Sequence, residues 1–392
     1  MSGVSSLEDL CSTAHSQGAD ALALTDTNGL YGVVRFVEVA QRMGLQPILG
    51  AELTHKQHRA TLLATTMTGY TNLCRLLSGR HCHDNFDFIE AVTQHHHDIL
   101  ILSDDIPALT VWKKRKHTNL YVELTPGTMM HQGVAFSRRS GLPPVATNRV
   151  HFVQPEEFHL HQVLRAIALN TTISQLPSNT YCTRNHWLAP VEILEPQYTH
   201  IPQALRNTRR IADRCHTEWN FKQTVQQVFQ DHTDPHTFAT LREKTYEGAS
   251  QRYGTISEEV RKRIETELHV IQLKSFAMWF LIVQDIVQQA PRTCGRGSAA
   301  ASIVSYCLGI THVDPIRHNL FFERFLNAGR QDPPDIDIDF PWDERDRILD
   351  YIFTKYGARR TAMVANHNTL GFRASIREVA KVYGMSPTEL NQ

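Results

Sequence analysis

Three aspartates alternate along a short segment near the end of the chain. Asp335, Asp337 and Asp339 are separated by Ile336 and Ile338. Because side chains on a β-strand point alternately to opposite faces, the acids share one face and the isoleucines the other. Carboxylates about 6 Å apart repel by roughly 3 kcal/mol at an effective dielectric of about 20. A divalent cation removes that cost, and Mg²⁺ prefers one or two carboxylates together with phosphate oxygens. The segment therefore predicts a magnesium site for phosphate chemistry.

A loop of small residues lies upstream of these acids. Arg296, Gly297 and Ser298 lead into an apolar, helix-like stretch at residues 303–308. Glycine lets backbone N–H groups approach an anion, and the N-terminus of the following helix adds a favourable dipole, so the loop suits phosphate. Arg296 supplies positive charge there. Arg324, between the loop and the acids, is a second basic residue able to meet phosphate.

Each of these two motifs also has a simpler interpretation. Alternating aspartates are typical of solvated edge strands and of Ca²⁺ loops as well, and a glycine-serine loop is typical of an ordinary turn. The order and spacing of the two motifs, with Arg324 between them, favour a shared phosphate site.

Strand-like and helix-like segments alternate in the first third of the chain. Residues 32–43 have helical spacing of their apolar side chains. Apolar runs predict strands at residues 21–25, 47–52, 99–102, 120–124 and 144–147. This alternation predicts a parallel β/α layer or barrel.

The periodicity changes after a polar stretch at residues 231–236, which predicts a linker. Ser257, followed by Glu258 and Glu259, predicts the start of a long helix. The apolar residues of that helix form one stripe, which consists of Val260, Ile264, Leu268 and Ile271. Residues 276–287 are densely apolar but too few to span a membrane, so they predict a buried helix.

Size and composition limit the possible classes of protein. The 392 residues, 41% of them hydrophobic, are enough for two or three packed domains. The absence of a long apolar run and of a secretory signal predicts a cytoplasmic location. Seven cysteines without a C-x-x-C pair predict reduced thiols. Lys plus Arg and Asp plus Glu balance at 40 each, so nucleic-acid contacts require a local basic cluster or segments outside the chain.

The motifs near the end of the chain resemble the palm of the C-family bacterial DNA polymerases, which comprise the DNA polymerase III alpha subunit and its error-prone paralogue. The similar segments follow the family's usual order, at residues 295–298, 308–315, 321–327 and 334–339. The resemblance implies that Asp335 and Asp337 are the two metal-binding catalytic aspartates, and it gives Asp339 a structural or supporting role. The residues implied to hold the triphosphate of the incoming nucleotide are Arg296, Gly297, Ser298 and Arg324.

The first third resembles the polymerase-and-histidinol-phosphatase (PHP) domain that precedes the palm in these enzymes. The similar segments are residues 23–26, 28–32, 47–52 and 145–148 leading to His151, and residues 29–36 and 69–77 favour the error-prone branch. The implied fold class is α/β, with a PHP-like β/α barrel that lacks its first strand. A mixed α+β palm of the nucleotidyltransferase type, itself incomplete, follows.

The PHP-like segment departs from the family's metal site. The implied ligands that remain are Asp26, Glu52 and His151. The family's H-x-H pair lies on the first strand, before the place at which this chain starts. Thr27 stands where histidine is usual, Asp105 near where cysteine is usual, and Arg149 where aspartate is usual. Three scattered ligands rarely hold a metal cluster, so we expect no metal in the PHP site and weak or no hydrolysis.

Two histidine pairs have the H-x-H spacing in a different context. They are His81 with His83 and His159 with His161. We interpret all four as surface or packing histidines.

We predict three regions, with a PHP-like domain and connecting helices at residues 1–215, a partial palm at 216–365 and the start of a thumb at 366–392. The resemblance implies an error-prone, translesion DNA-directed DNA polymerase that acts in damage-induced mutagenesis, replication and repair by nucleotidyl transfer with two Mg²⁺ ions. The family's third catalytic aspartate has no match after Phe340, so we expect these residues to be inactive alone.

The implied partners are primer-template DNA and deoxynucleoside triphosphates. A sliding clamp and other damage-response polymerase factors would bind through segments outside the chain, and no membrane is implied. Two alternatives stay open. One is the replicative DNA polymerase III alpha subunit, and the other is a PHP-type metal phosphoesterase or a non-catalytic remnant.

Overall fold

The structure is a computed structural model, and it describes residues 3–127, 129–221, 235–327, 329, 335–366, 368–386 and 388–389. The chain forms two compact units. Unit 1 comprises Met1–Phe221 and Asn368–Gln392, and unit 2 comprises Lys222–His367. The three regions predicted from the sequence stay a prediction.

Unit 1 contains a six-stranded sheet among its described residues. The strands are β1 (Ala21–Thr27), β2 (Gln46–His55), β3 (His58–Ala64), β4 (Ile99–Ser103), β5 (Leu120–Leu124) and β6 (Pro144–Ala146). They lie in sequence order across the sheet. The pairs β1–β2, β4–β5 and β5–β6 are parallel, whereas β3 is antiparallel to both of its neighbours. The predicted α/β class is confirmed, but β3 makes the sheet mixed rather than parallel.

The strand β3 was not predicted from the sequence because its turn contains none of the residue types that usually mark a turn. β2 and β3 form a hairpin in which His55 pairs with His58, so only Lys56 and Gln57 lie between the strands. Lys56 has a φ of +53°, a conformation that two-residue hairpins usually give to asparagine or glycine. Neither residue type is present to mark the turn.

The helices are α1 (Leu7–Ser16), α2 (Val33–Arg42), α3 (Met67–Cys82), α4 (Phe88–Gln94), α5 (Ile106–Lys114), α6 (Met130–Ser140), α7 (Phe158–Ala168), α8 (Val191–Leu194), α9 (Pro202–Arg214), α10 (Pro235–Tyr253), α11 (Glu258–Leu273), α12 (Ala277–Val287), α13 (Ile303–Cys307), α14 (Arg345–Tyr356) and α15 (Phe372–Val382). Several begin at side-chain caps: Ser6, Thr66, Asp87 and Asp105 each accept a hydrogen bond from a backbone N–H of the first turn.

The core of unit 1 lies between the sheet and its helices. The largest cluster joins the sheet to α3, α4 and α5, and its fully buried side chains include Leu62, Leu73, Phe88 and Trp112. A second cluster joins α1 and α2 to the sheet through Phe36 and Leu49. Each buried side chain of this size contributes roughly 1.5–3 kcal/mol. This packing holds the strands in place, and it therefore also fixes the positions of the polar residues at the strand ends.

Unit 2 is mainly helical, and it contains the short antiparallel strands β7 (Cys294–Arg296) and β8 (Asp337–Asp339). α11 begins as predicted, with the Ser257 hydroxyl accepting from Val260 N at 3.3 Å. The predicted apolar stripe is buried, and the predicted buried helix is α12. Of the predicted linker, residues 231–234 lie outside the described part of the chain and residues 235–236 begin α10.

Among the described residues, no single helix is long and apolar enough to cross a membrane. α11 and α12 reach that length only as a pair that bends by 113°.

Within unit 1, α15 packs on α7. Val382 contacts Val163 and Ala166, and the Tyr383 hydroxyl lies 2.7 Å from His159 Nε2.

Candidate functional site: an acidic strand beside a small-residue loop

The three aspartates lie as the alternation predicts. Asp335, Asp337 and Asp339 are exposed, whereas Ile336 and Ile338 are half-buried against the core of unit 2. The acids therefore form one exposed face of β8 and of the two residues that precede it. The prolines at 333 and 334 lie outside the described residues.

The small-residue loop lies directly beside this acidic face. β7 pairs with β8 so that Arg296 is opposite Asp337 and Cys294 is opposite Asp339. A Cβ atom added at Gly297 would lie 3.4 Å from Asp337 Oδ2. Two motifs separated by a long stretch of sequence thus become neighbours through backbone pairing.

Two glycines are required for this arrangement. Gly297 has a φ of +68°, in the left-handed region that favours glycine. Gly295 lies so close to the next segment that an added Cβ would be 2.2 Å from the carbonyl oxygen of Ile310. A side chain at either position would strain the loop or displace β7.

Of the three acids, one forms an ion pair and two do not form one with any described residue. Asp339 Oδ1 lies 3.1 Å from Arg296 Nε, and both side chains are exposed. Asp335 and Asp337 have no side-chain hydrogen bond or ion pair with any described residue. Arg324 is exposed in a 3₁₀ turn, Phe322–Arg324, and this turn lies against the small-residue loop. The Arg324 side chain also has no hydrogen bond or ion pair with another side chain among the described residues.

A buried glutamate on α11, which was not predicted from the sequence, fixes the end of the loop. The Glu267 carboxylate is fully buried and accepts from Ser302 Oγ at 2.8 Å, Ile303 N at 3.1 Å and Val304 N at 3.3 Å. Arg263 Nε donates to the same carboxylate at 2.7 Å. No local pattern distinguishes Glu267 from the other glutamates of this helix.

These contacts correct one part of the phosphate prediction. The N–H groups of Ile303 and Val304 donate to Glu267, and Ser305 N donates to Ser302 Oγ at 3.1 Å. α13 is also only five residues long. The N-terminus of this helix is therefore occupied by protein acceptors and does not face a phosphate, contrary to the expectation from the sequence.

In unit 1, the residues that match PHP metal ligands have protein partners instead. Asp26 Oδ2 accepts from Gly32 N at 3.0 Å, at the start of α2. Glu52 accepts from Arg59 Nε at 2.8 Å and from Thr27 Oγ1 at 3.3 Å. These two carboxylates thereby support the local fold.

Asp105 and His151 are placed differently. Asp105 caps α5 through Ala108 N at 3.0 Å and pairs with His58 Nδ1 at 2.6 Å. His151 lies beside His161, with ring centroids 5.3 Å apart.

Two arginines lie among the carboxylates of this region, and we call the group the arginine cluster. Its members are Arg59, Arg149, Glu52, Asp104 and Glu123. Arg59 pairs with all three acids, whereas Arg149 Nη2 lies 2.5 Å from Asp104 Oδ2 and 3.3 Å from Glu123 Oε2. Arg149 was identified from the sequence as a departure from the family pattern, whereas no sequence signal marked Arg59 or Glu123.

The charge balance of the arginine cluster does not suit a divalent cation. Burial alone would raise the pKa of Glu123, but Arg59 and Arg149 outweigh burial and hold that pKa below its ordinary value of 4.5. A metal ion placed among these acids would meet two fixed positive charges. The residues present therefore do not fit the metal cluster that the PHP fold implies.

Comparison with known proteins identifies two domains in the chain. Residues 1–113 match the family model described as the PHP domain, and residues 239–392 match the one described as the bacterial DNA polymerase III alpha NTPase domain. The chain thus joins a PHP domain to a polymerase domain.

Relatives match along the whole chain. It is 35% identical to the error-prone DNA polymerase of Symbiobacterium thermophilum, with 100% of the chain and 40% of the relative covered. It is 34% identical to the error-prone DNA polymerase of Pseudomonas aeruginosa, with 99% of the chain and 40% of the relative covered. It is 30% identical to the DNA polymerase III subunit alpha of Bacillus subtilis, with 100% of the chain and 38% of the relative covered. Over its whole length the chain is similar to these bacterial DNA polymerases, and it spans about two fifths of the length of these curated relatives.

Solved structures also show similarity, and one of them serves as an example. It is a two-domain protein from Bacteroides vulgatus with a PHP-like metal-dependent phosphoesterase region, at 12% identity and a TM-score of 0.31, over 38% of this chain and 48% of that one. A likeness this weak carries no argument about fold or function.

Proposed function

We propose that the chain supplies the PHP domain and part of the palm of an error-prone, DNA-directed DNA polymerase. The observation that carries the proposal is the pairing of β7 with β8, which places the loop that starts at Arg296 beside the acidic face. Primer-template DNA and deoxynucleoside triphosphates are the substrates in this proposal. Polymerase factors such as a sliding clamp would bind outside this chain, and the cytoplasmic location stays a prediction.

Asp335 and Asp337 are the residues proposed to hold Mg²⁺. Both are exposed on one face, and neither has a competing cationic partner among the described residues. Carboxylate oxygens of this kind fit Mg²⁺, which when bound would neutralise phosphate charge and activate the primer hydroxyl. Asp339 forms an ion pair with Arg296 instead. This pairing supports a positioning role for Asp339 rather than a role in binding Mg²⁺.

The loop and the two arginines are proposed to orient the triphosphate. Gly297 and Ser298 present backbone N–H groups without a bulky side chain, which suits close approach of phosphate oxygens. Arg324 is exposed and has no side-chain partner in the described part of the chain. Arg296 has to exchange its contact with Asp339 for a contact with phosphate.

A binding experiment tests this assignment. The purified chain is titrated with a deoxynucleoside triphosphate in the presence of Mn²⁺, and metal uptake is followed by electron paramagnetic resonance. We expect Asp337→Asn to weaken nucleotide-dependent uptake at least tenfold, because one of two ligand carboxylates is lost. Asp350→Asn, an exposed acid on α14, should have no effect. Equal uptake by both variants would contradict the assignment.

We further propose that the chain belongs to an error-prone polymerase rather than to a replicative one. The two error-prone relatives are 35% and 34% identical to the chain, and the B. subtilis alpha subunit is 30% identical. The replicative alpha subunit is therefore the second candidate. Primer extension across an abasic site by the full gene product separates the two, since a replicative enzyme would stop at the lesion. The 392 residues alone are expected to give no extension.

The PHP domain is proposed to be non-hydrolytic. The arginine cluster supports this proposal because Arg59 and Arg149 balance the charge of acids that would otherwise bind metal. The competing hypothesis is a metal-dependent phosphoesterase. Hydrolysis of a phosphodiester substrate with Mn²⁺ or Zn²⁺ tests it, and robust turnover that Asp26→Ala abolishes would overturn our proposal.

A further inference from the structure

Three potential metal ligands meet in unit 1. One ligand atom from each of His151, His161 and Cys182 lies within 4.8 Å of the other two. We propose that these three side chains bind one zinc-class cation, and we call the group the histidine-cysteine site. Only His151 is shared with the ligands that the PHP resemblance implies, and none of the three residues is a member of the arginine cluster.

The backbone fixes the three residues from different segments. His161 lies on α7 and is only 2% exposed. Cys182 N donates a hydrogen bond to His161 Nε2 at 3.2 Å, which holds the cysteine beside the helix in the metal-free chain. This bond uses the acceptor lone pair of the neutral imidazole, so metal binding at Nε2 has to replace it. Ligands that are positioned before the metal binds lose little conformational entropy on binding.

His151 is held independently of the other two. Its backbone N donates to His186 O at 2.8 Å, and its carbonyl oxygen accepts from Val4 N at 2.9 Å. Phe152, the next residue, forms a parallel bridge with Trp187. The segment that carries His151 is therefore tied to its neighbours on both sides.

The ligand set determines the class of cation. Two imidazoles and one thiolate are soft to borderline ligands that select zinc over magnesium or calcium. Zn–N bonds of about 2.0 Å and Zn–S bonds of about 2.3 Å in a tetrahedron place ligand atoms roughly 3.3–3.6 Å apart. The present separations of up to 4.8 Å require small side-chain rotations of about 1 Å. Water would complete the tetrahedron.

The alternative is that the two histidines only pack, which is the interpretation of His161 from the sequence alone. Its ring does lie near Phe152, with centroids 6.1 Å apart. Packing, however, does not require a thiol beside two imidazoles. Burial raises the pKa of Cys182 to about 11, so the metal-free thiol carries its proton at neutral pH. Since zinc binds the thiolate, its uptake should release that proton.

Cobalt titration of the metal-stripped 392-residue chain tests the proposal. We expect uptake of one Co²⁺ per chain, with a thiolate-to-cobalt charge-transfer band in the near ultraviolet that added Zn²⁺ removes. Cys182→Ser should abolish the band and weaken Zn²⁺ binding at least tenfold. Cys74→Ser, which also alters a half-buried cysteine, should leave both unchanged.

Several outcomes would overturn the proposal. They are the absence of the charge-transfer band, its persistence in Cys182→Ser, or loss of cobalt uptake in Glu52→Gln but not in Cys182→Ser. The last result would place the cation at the arginine cluster. Circular dichroism of each variant shows whether it folds. His151→Gln, whose side chain is only half-buried, provides a second ligand variant that should also lose the tight site.

Discussion

Arg59 contacts three carboxylates of unit 1, one of which, Glu123, is almost fully buried. We expect Arg59→Met to lower the free energy of unfolding by about 3 kcal/mol, because it leaves the buried Glu123 carboxylate with less compensating charge. Urea denaturation followed by circular dichroism measures the change.

The matched control is Arg35→Met. Arg35 also forms ion pairs, with Glu8 and Glu38, but all of these side chains are exposed. Exposed pairs are screened by solvent, so the control should change stability little. A large effect in the control, or none in Arg59→Met, would show that the arginine cluster does not stabilise the fold.

His117 gives unit 1 a defined pH dependence. Burial lowers its pKa from 6.5 to about 4, with the neighbouring His96 and Arg115 acting in the same direction. The unfolded chain therefore takes up a proton between pH 6.5 and 4 that the folded chain does not. This part of the stability is present above pH 6.5 and lost as pH falls towards 4.

His117→Gln should flatten the decline of the urea midpoint between pH 6.5 and 4. His15→Gln, an exposed histidine on α1, should follow the unmodified chain. If all three proteins lose stability in parallel over this range, His117 does not cause the decline.

Single residues were predictable from the sequence only where a local pattern marked them. Asp335 and Asp337 lie in an alternating run, and Gly297 lies in a run of small residues. Arg59 and Glu123 belong to different strands and meet only because β3 and β5 lie on either side of β4. Because the two residues are far apart in the sequence, no local pattern predicts their contact.

At the level of elements, α11 and the end of the small-residue loop are joined by Glu267. Glu267→Ala would leave buried N–H groups at Ile303 and Val304 and the hydroxyl of Ser302 without an acceptor. We expect a loss of at least about 3 kcal/mol in the stability of unit 2. Hydrogen exchange at these amides, measured by mass spectrometry, reports the same loosening locally.

Glu259→Ala is the control on the same helix, because Glu259 is exposed in the first turn of α11. It should leave amide exchange at residues 303–304 unchanged. Protection that is equal in both variants would mean that Glu267 does not hold the loop.

Four helices, α2, α11, α12 and α13, and most strands were predicted because their apolar residues form periodic patterns or continuous runs in the sequence. Ser257 and the stripe from Val260 to Ile271 predicted α11 from its first residue. The strand β3 was not predictable in this way, since its hairpin turn at Lys56 lacks glycine and asparagine. The pairing of β7 with β8 also required the structure, because nothing in either segment specifies its partner.

For the whole molecule, the balance of 40 basic and 40 acidic residues has a measurable effect on DNA binding. Non-specific affinity comes from neutralised phosphates, and a chain without net positive charge gains little of it. We expect the chain to bind primer-template DNA with a Kd weaker than about 10⁻⁵ M at 0.15 M salt. Fluorescence anisotropy of a labelled duplex measures this affinity.

A salt titration provides the check on that prediction. A steep fall in affinity with rising salt would show several phosphate contacts and hence a basic surface that the overall charge conceals. A flat response at weak affinity would agree with DNA contacts that require segments outside these residues.

The ribbon formed by β7 and β8 contains only three residue pairs. Two strands of this length have little stability of their own, so their order depends on Ile336 and Ile338 packing against the helices of unit 2. A molecule that bridges the strands would thereby oppose the melting of those helices. Heat capacity scans could then detect occupancy as a delayed unfolding transition, with no turnover required.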